Sequence, residues 1–194
     1  MKNTSFNIIL LIFTLTLTLV ACSNGKIESN ISATVADFEF TDQHNETFSS
    51  EQLKGDWWIA YFFYTNCKMV CPQTTANIVN VLATLRDAGM TPPIIGFSVD
   101  PDFDTPAVLQ DFAAIYDANF ENMTFLTGYD FDKIKELSNK SFKTVLDGGG
   151  PEDHVYAHST SFFLINPKGE VIKRYDGLSK LDYENLIADA KKVM

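Results

Sequence analysis

Two cysteines, Cys67 and Cys71, stand at C-x-x-x-C spacing in the stretch YTNCKMVCP, directly behind eight apolar residues, 57–64. Side chains four apart around a helix start reach the same side of the chain. The positive end of a helix dipole and its free N–H groups also favour thiolate over thiol. A thiolate pair does two things well: it binds soft metals such as Cu(I), and it cycles to a disulfide. A disulfide here would close a very short loop and stabilise little, so the pair reads as chemical rather than as a staple. The pair alone does not choose between metal and redox chemistry.

A third donor would choose, and the chain has three histidines. His44 lies in the turn of an expected hairpin and His154 inside a glycine-rich stretch, residues 140–157, so both read as solvated. His158 ends that stretch and abuts an apolar strand, at the strand-end rim where α/β sheets carry their chemistry. It reads equally as a third ligand or as a satisfied structural histidine. Met69, between the cysteines, can lend a thioether but more simply covers them.

The elements around these residues follow from pattern. Phe38 and Phe40 alternate with polar residues, residues 42–45 turn, and Phe48 follows, giving a hairpin. Residues 57–64 and 92–100 form nearly continuous apolar runs, the mark of buried parallel strands. Pro72 at the first helical position puts Cys71 near an N-cap, with Ile78, Leu82 and Leu85 on one face and Gly89 as the stop. Thr105-Pro106 starts a second helix, with Leu109, Phe112, Ala113 and Tyr116 at helical spacing. Residues 123–128 make a strand and 130–138 a short helix, and residues 140–157 are expected to be a long mobile loop. A second hairpin spans 159–175 around NPKG, and Asp182 is expected to cap a last helix. The order predicts an α/β sandwich around a mixed sheet.

The N-terminus sets the compartment. Lys2 precedes a 15-residue apolar stretch, residues 6–20, too short to span a bilayer and the right size for a signal-peptide core. It ends in LVAC, which resembles the bacterial lipoprotein box, with Cys22 as the lipidated first residue of the mature protein. The expected domains are a signal peptide over 1–21, a lipid-anchored tether over 22–34 and a folded domain over 35–194. Without residues 1–21 the chain has 25 acidic residues against 14 basic, net −11, which argues against nucleic acid and against a polybasic membrane contact.

Three segments, FYTNCKMVCP, SVDPDFDTP and HSTSFFLINPKGEV, together resemble the Sco/SenC/PrrC family of membrane-anchored copper proteins, over residue 35 to the C-terminus. The resemblance implies a thioredoxin-like fold, with a central mixed sheet flanked by helices and an N-terminal hairpin. It implies copper held by Cys67, Cys71 and His158, and delivery to the subunit of cytochrome c oxidase that bears the Cu-A centre. His158 is preferred to His154 because the family's histidine directly precedes a Ser/Thr-containing apolar strand. Asp100 and Asp104 match the family's D-P-x-x-D-T segment and are expected to hold the loop and helix start beside the site, or to meet a partner. Asp153 precedes the loop histidine as an outer-shell acceptor. The implied location is extracytoplasmic, anchored to the membrane through lipid on Cys22.

The competing reading is an extracytoplasmic thiol-disulfide oxidoreductase that uses Cys67 and Cys71 as a redox disulfide to reduce the Cu-A cysteines. Against it stand the wider cysteine spacing and the lack of a proline before Ser159, where thioredoxins carry one. A peroxidase of the peroxiredoxin type is excluded, because the Pro-x-x-x-Thr-x-x-Cys pattern is missing around Cys67.

Overall fold

A computed structural model describes residues 27–116, 121–149 and 154–194. The strands are β1 (Ala33–Thr34), β2 (Glu39–Asp42), β3 (Thr47–Ser49), β4 (Trp58–Phe63), β5 (Ile94–Ser98), β6 (Met123–Thr127), β7 (Asp147–Gly148), β8 (Tyr156–Ala157), β9 (Ser161–Ile165) and β10 (Glu170–Asp176). The helices are α1 (Cys71–Asp87), α2 (Pro106–Ile115), α3 (Phe131–Phe142) and α4 (Lys180–Val193). Eight strands form one mixed sheet in the order β1-β10-β9-β4-β5-β6-β2-β3. β4, β5 and β6 run parallel, and β9 and β10 form an antiparallel hairpin beside β4.

The period of two in each strand divides the core between two faces. From β4, Ala60 and Phe62 join Phe97, Phe163 and the α3 residues Ile134, Leu137 and Phe142 on one side. Ile59, Tyr61 and Phe63 join the other side, with Leu82 and Leu85 of α1, Leu109 and Phe112 of α2 and Leu186 of α4. Every residue of β4 and β5 is buried, as their unbroken apolar runs require. Because β4 and β5 are parallel while β9 runs back against β4, the end of β4, the end of β5 and the start of β9 share one rim. Cys67, Asp100 and His158 all follow or precede strands at that rim.

Several boundaries differ from those expected. Val70 is the N-cap of α1, so Cys71 is already the first helical residue and Pro72 the second. The last helix is capped by Ser179, whose Oγ accepts from the Asp182 N–H; Asp182 instead uses its carboxylate on the Asp176 N–H at 2.9 Å. Residues 140–142 complete α3, and β7 pairs with β8, so the stretch read as one long loop carries a helix end and a two-stranded ribbon. The expected tether is not free throughout. Ser29 and Asn30 bond to the backbone of β10, and β1 adds a short edge to the sheet. Cys22, the signal segment and Asp153 lie outside the described residues. Among the described residues no helix is long and apolar enough to cross a membrane.

Gly96 is a packing requirement of the sheet centre. A Cβ there would sit 3.0 Å from each of three rings, Phe125, Phe63 and Tyr61. Gly96→Ala is expected to cost about 1–3 kcal/mol through overpacking, read as a lower midpoint in denaturant unfolding at unchanged slope.

Candidate metal centre

The turn after β4 lifts the chain from the sheet into α1. Cys67 N–H donates to the Tyr64 carbonyl at 3.4 Å, and α1 then begins at Cys71. The Cys67 sulfur thereby receives the backbone N–H groups of Met69 and Cys71, the unsatisfied donors of a helix start. Both cysteines are buried and free, and the thiol of Cys71 bonds to Cys67.

His158 arrives from the far end of the sequence. Its Nδ1–H donates to the Ser159 carbonyl at 2.9 Å, since a carbonyl only accepts, and the ring therefore turns Nε2 toward the sulfurs. Nε2 stands 3.2 Å from Cys71 Sγ and also bonds with Cys67. The family resemblance implies these three side chains, and the structure brings them together. Among the described residues no three His, Cys, Asp or Glu side chains are spread as a ready-made metal cage. The sulfurs and the imidazole touch one another directly, and a metal ion would replace those hydrogen bonds. The donor set of two sulfurs and one imidazole suits a soft cation.

The two thiols are electrostatically unequal. Burial alone would raise Cys67, but bonds from His158, Cys71 and the backbone N–H groups of Cys71 and Met69 outweigh it and lower Cys67 to about 5. Burial and the neighbouring Cys67 sulfur push Cys71 strongly the other way. At neutral pH the pair is one thiolate and one thiol that share a proton contact.

Tyr64 is a member of the site that sequence reading passed over, because it looks like the last apolar residue of a strand. Burial and its hydrogen bond to Cys67 raise its hydroxyl to about 12. Its ring stands edge-on to His158 at 5.6 Å and to Tyr156 at 5.4 Å. No spacing signal marks it, since its ring partners, Tyr156 and His158, lie about ninety positions away.

Asp100 and Asp104 are fully buried beneath the rim, so neither lies on a surface that a partner could meet. Asp104 accepts from Ser98 Oγ at 2.5 Å, from the Thr65 N–H at 3.2 Å and from the Thr65 hydroxyl. It thus fixes the turn two residues before Cys67. Burial, opposed by the Ser98 and Thr65 bonds, raises its carboxyl to about 6. Asp100 takes the place expected for it beside the helix start, but its side chain turns to the histidine-bearing segment. His154, read as solvated, is instead paired with Asp100 at 2.9 Å and only 23% exposed. Met69 is 85% exposed and makes no cover over the sulfurs.

The lowered pKa of Cys67 has a sign that can be tested. Its folded value lies below that of a free thiol, so the stability it contributes is full above about pH 8.5, shrinks progressively as pH falls and is gone below about 5, while the thiolate itself persists down to about 5. Alkylation of reduced protein by iodoacetamide, followed by mass mapping, should modify Cys67 with a rate half-maximal near pH 5, and His158→Ala should move that midpoint upward.

The chain matches SCO1/SenC over residues 27–194. A SCO1/SenC family lipoprotein from Bacillus anthracis str. Ames is 35% identical, with a TM-score of 0.79 over 85% of this chain and 98% of that one. BsSco, described as a member of the Sco family of cytochrome c oxidase assembly proteins and as holding a disulfide switch, is 39% identical, with a TM-score of 0.76 over 84% and 94%. Yeast Sco1 with copper bound is 26% identical, with a TM-score of 0.67 over 82% and 89%. The mixed sheet flanked by helices is the thioredoxin-like fold of these proteins. With the motifs, the fold and a match that runs unbroken from residue 27 to the last residue all in agreement, the chain belongs to the SCO1/SenC family.

Proposed function

We propose that this protein is a copper metallochaperone that holds copper between Cys67, Cys71 and His158 and delivers it to the Cu-A centre of cytochrome c oxidase. The observation that carries the reading is the imidazole: His158, tied at Nδ1, presents Nε2 to Cys71 Sγ at 3.2 Å and also bonds with Cys67. A soft cation takes an imidazole fixed in that way as its third donor, whereas a dithiol reductant uses it only to keep Cys67 ionised. The copper-bound state of yeast Sco1 and the assembly role given for BsSco support the cargo and the target. Release would proceed by ligand exchange, the target's thiols and imidazoles replacing these donors one at a time. Tethering through lipid on Cys22 belongs to the same proposal, supported by the LVAC segment and by the lipoprotein relative.

A second reading has its own observation. An acidic Cys67 beside a protonated Cys71 is also the arrangement of a thiol reductant, with Cys67 as attacking thiolate and Cys71 as resolving thiol. In that role the Cys67 thiolate and the Cys71 thiol are oxidised to a Cys67–Cys71 disulfide, and two electrons and the Cys71 proton pass to a disulfide of the target, which leaves as one thiol and one thiolate.

Competition titration with Cu(I) and Cu(II) on the reduced full chain separates the two. One tight equivalent is expected, weakened by more than about a hundredfold in His158→Ala, since even outer-shell partners of metal ligands carry 10–100-fold. Feeble binding that is indifferent to His158, together with a moderate disulfide potential, would replace the chaperone with a reductase.

A further inference from the structure

Asp100 has an unusual division of labour. Its backbone closes its own turn: the N–H donates to Ser98 Oγ at 3.1 Å, and the carbonyl accepts from Phe103 and Asp104 at 3.1 and 2.9 Å. The side chain takes no part in that turn. Its carboxylate has no solvent exposure and receives His154 Nδ1–H at 2.9 and 3.1 Å and the Tyr156 hydroxyl at 2.9 Å. Both donors lie in the segment that delivers His158, four and two residues before it.

Three further features point to a segment under tension at this anchor. A buried carboxylate is costly unless its donors stay in place, so the contact resists opening. His154 adopts φ +48, a left-handed conformation uncommon for a residue with a side chain. Residue 149 must also lack a side chain, because a Cβ on Gly149 would lie 1.9 Å from the Tyr156 ring. From Tyr156 the contact continues sideways: its ring meets Tyr64, and Tyr64 meets both His158 and Cys67.

We propose that Asp100, acting through His154 and Tyr156, is the positioning residue that sets where His158 stands over the cysteine pair. The anchor lies under the rim and touches neither thiol nor His158, so it governs the imidazole without contributing a donor. His154 is then a strut, and it is not a rival for the place of His158. The proposal concerns the metal-free site; only its last consequence, slower copper release, rests on the chaperone reading.

The test compares Asp100→Asn, His154→Ala, His154→Gln and Gly149→Ala with the parent, as full chains, reduced and metal-free. Hydrogen exchange at residues 154–160 and the 15N signals of the His158 ring are read beside the thermal midpoint. Loss of a charge-assisted bond predicts exchange faster by about tenfold or more. The Nε2 signal should move toward that of a free imidazole in His154→Ala and Gly149→Ala, with the midpoint changed by only a few degrees. His154→Gln, whose amide still donates to Asp100, should restore the parent signal. Should Asp100→Asn fail to fold, the His154 and Gly149 variants carry the test alone. Unchanged exchange and ring signals in folded His154→Ala and Gly149→Ala would overturn the proposal. In a second arm Cu(I) transfer to a chelator should be about tenfold faster in His154→Ala. A parent that binds no copper would overturn the chaperone reading and leave the metal-free result standing.

Discussion

Everything at the rim depends on two carboxylates buried at the end of β5. Asp100 and Asp104 stand four residues apart in one turn, and each reaches into a different loop: Asp104 to Thr65, just before Cys67, and Asp100 to His154 and Tyr156, just before His158. The sulfurs and the imidazole come from loops 87 positions apart in the chain. Hydrogen bonds to buried carboxylates, costly to leave unmade, tie both loops to one turn. A turn that contributes neither sulfur nor imidazole therefore joins the loops that do.

The thiol pair inherits a polarity from this arrangement. Cys67 lies over the start of α1 and collects donors, while Cys71 is buried inside the first turn and collects none of comparable strength. One sulfur is thus prepared as an anion and the other as the proton donor that faces it. The same asymmetry serves a cation, which needs one charged ligand to begin with, and serves a redox cycle, which needs one nucleophile. His158 faces the pair through Nε2, and its ring is oriented by a single backbone carbonyl, that of Ser159.

Much of the fold was legible in the sequence, because its signals are local. The unbroken apolar runs of β4 and β5 required burial on both faces, Thr105-Pro106 marked the start of α2, and the NPKG turn fixed the β9–β10 hairpin. The misplaced boundaries share a cause. Asp182 looked like a cap until Asp176, brought near by the end of β10, engaged its carboxylate and left Ser179 to cap α4. The glycine-rich stretch looked unstructured because its ribbon, β7 with β8, pairs only two residues with two and leaves no periodic trace.

The sequence by itself determined the chemistry on offer: two thiols four apart at a helix start, three histidines, an apolar N-terminal stretch shortly before Cys22 and a family resemblance carried by three segments. Spacing within one turn of helix sets the first of these, and no long-range contact is needed to see it. Only the tertiary structure decided which imidazole meets the sulfurs. His158 reaches Cys71 across 87 positions of chain, and His154, four residues away, is claimed by a buried carboxylate. The reason is physical: pairing across a sheet, and the cost of an unpaired charge inside it, are properties of residues that become neighbours only once the chain has folded.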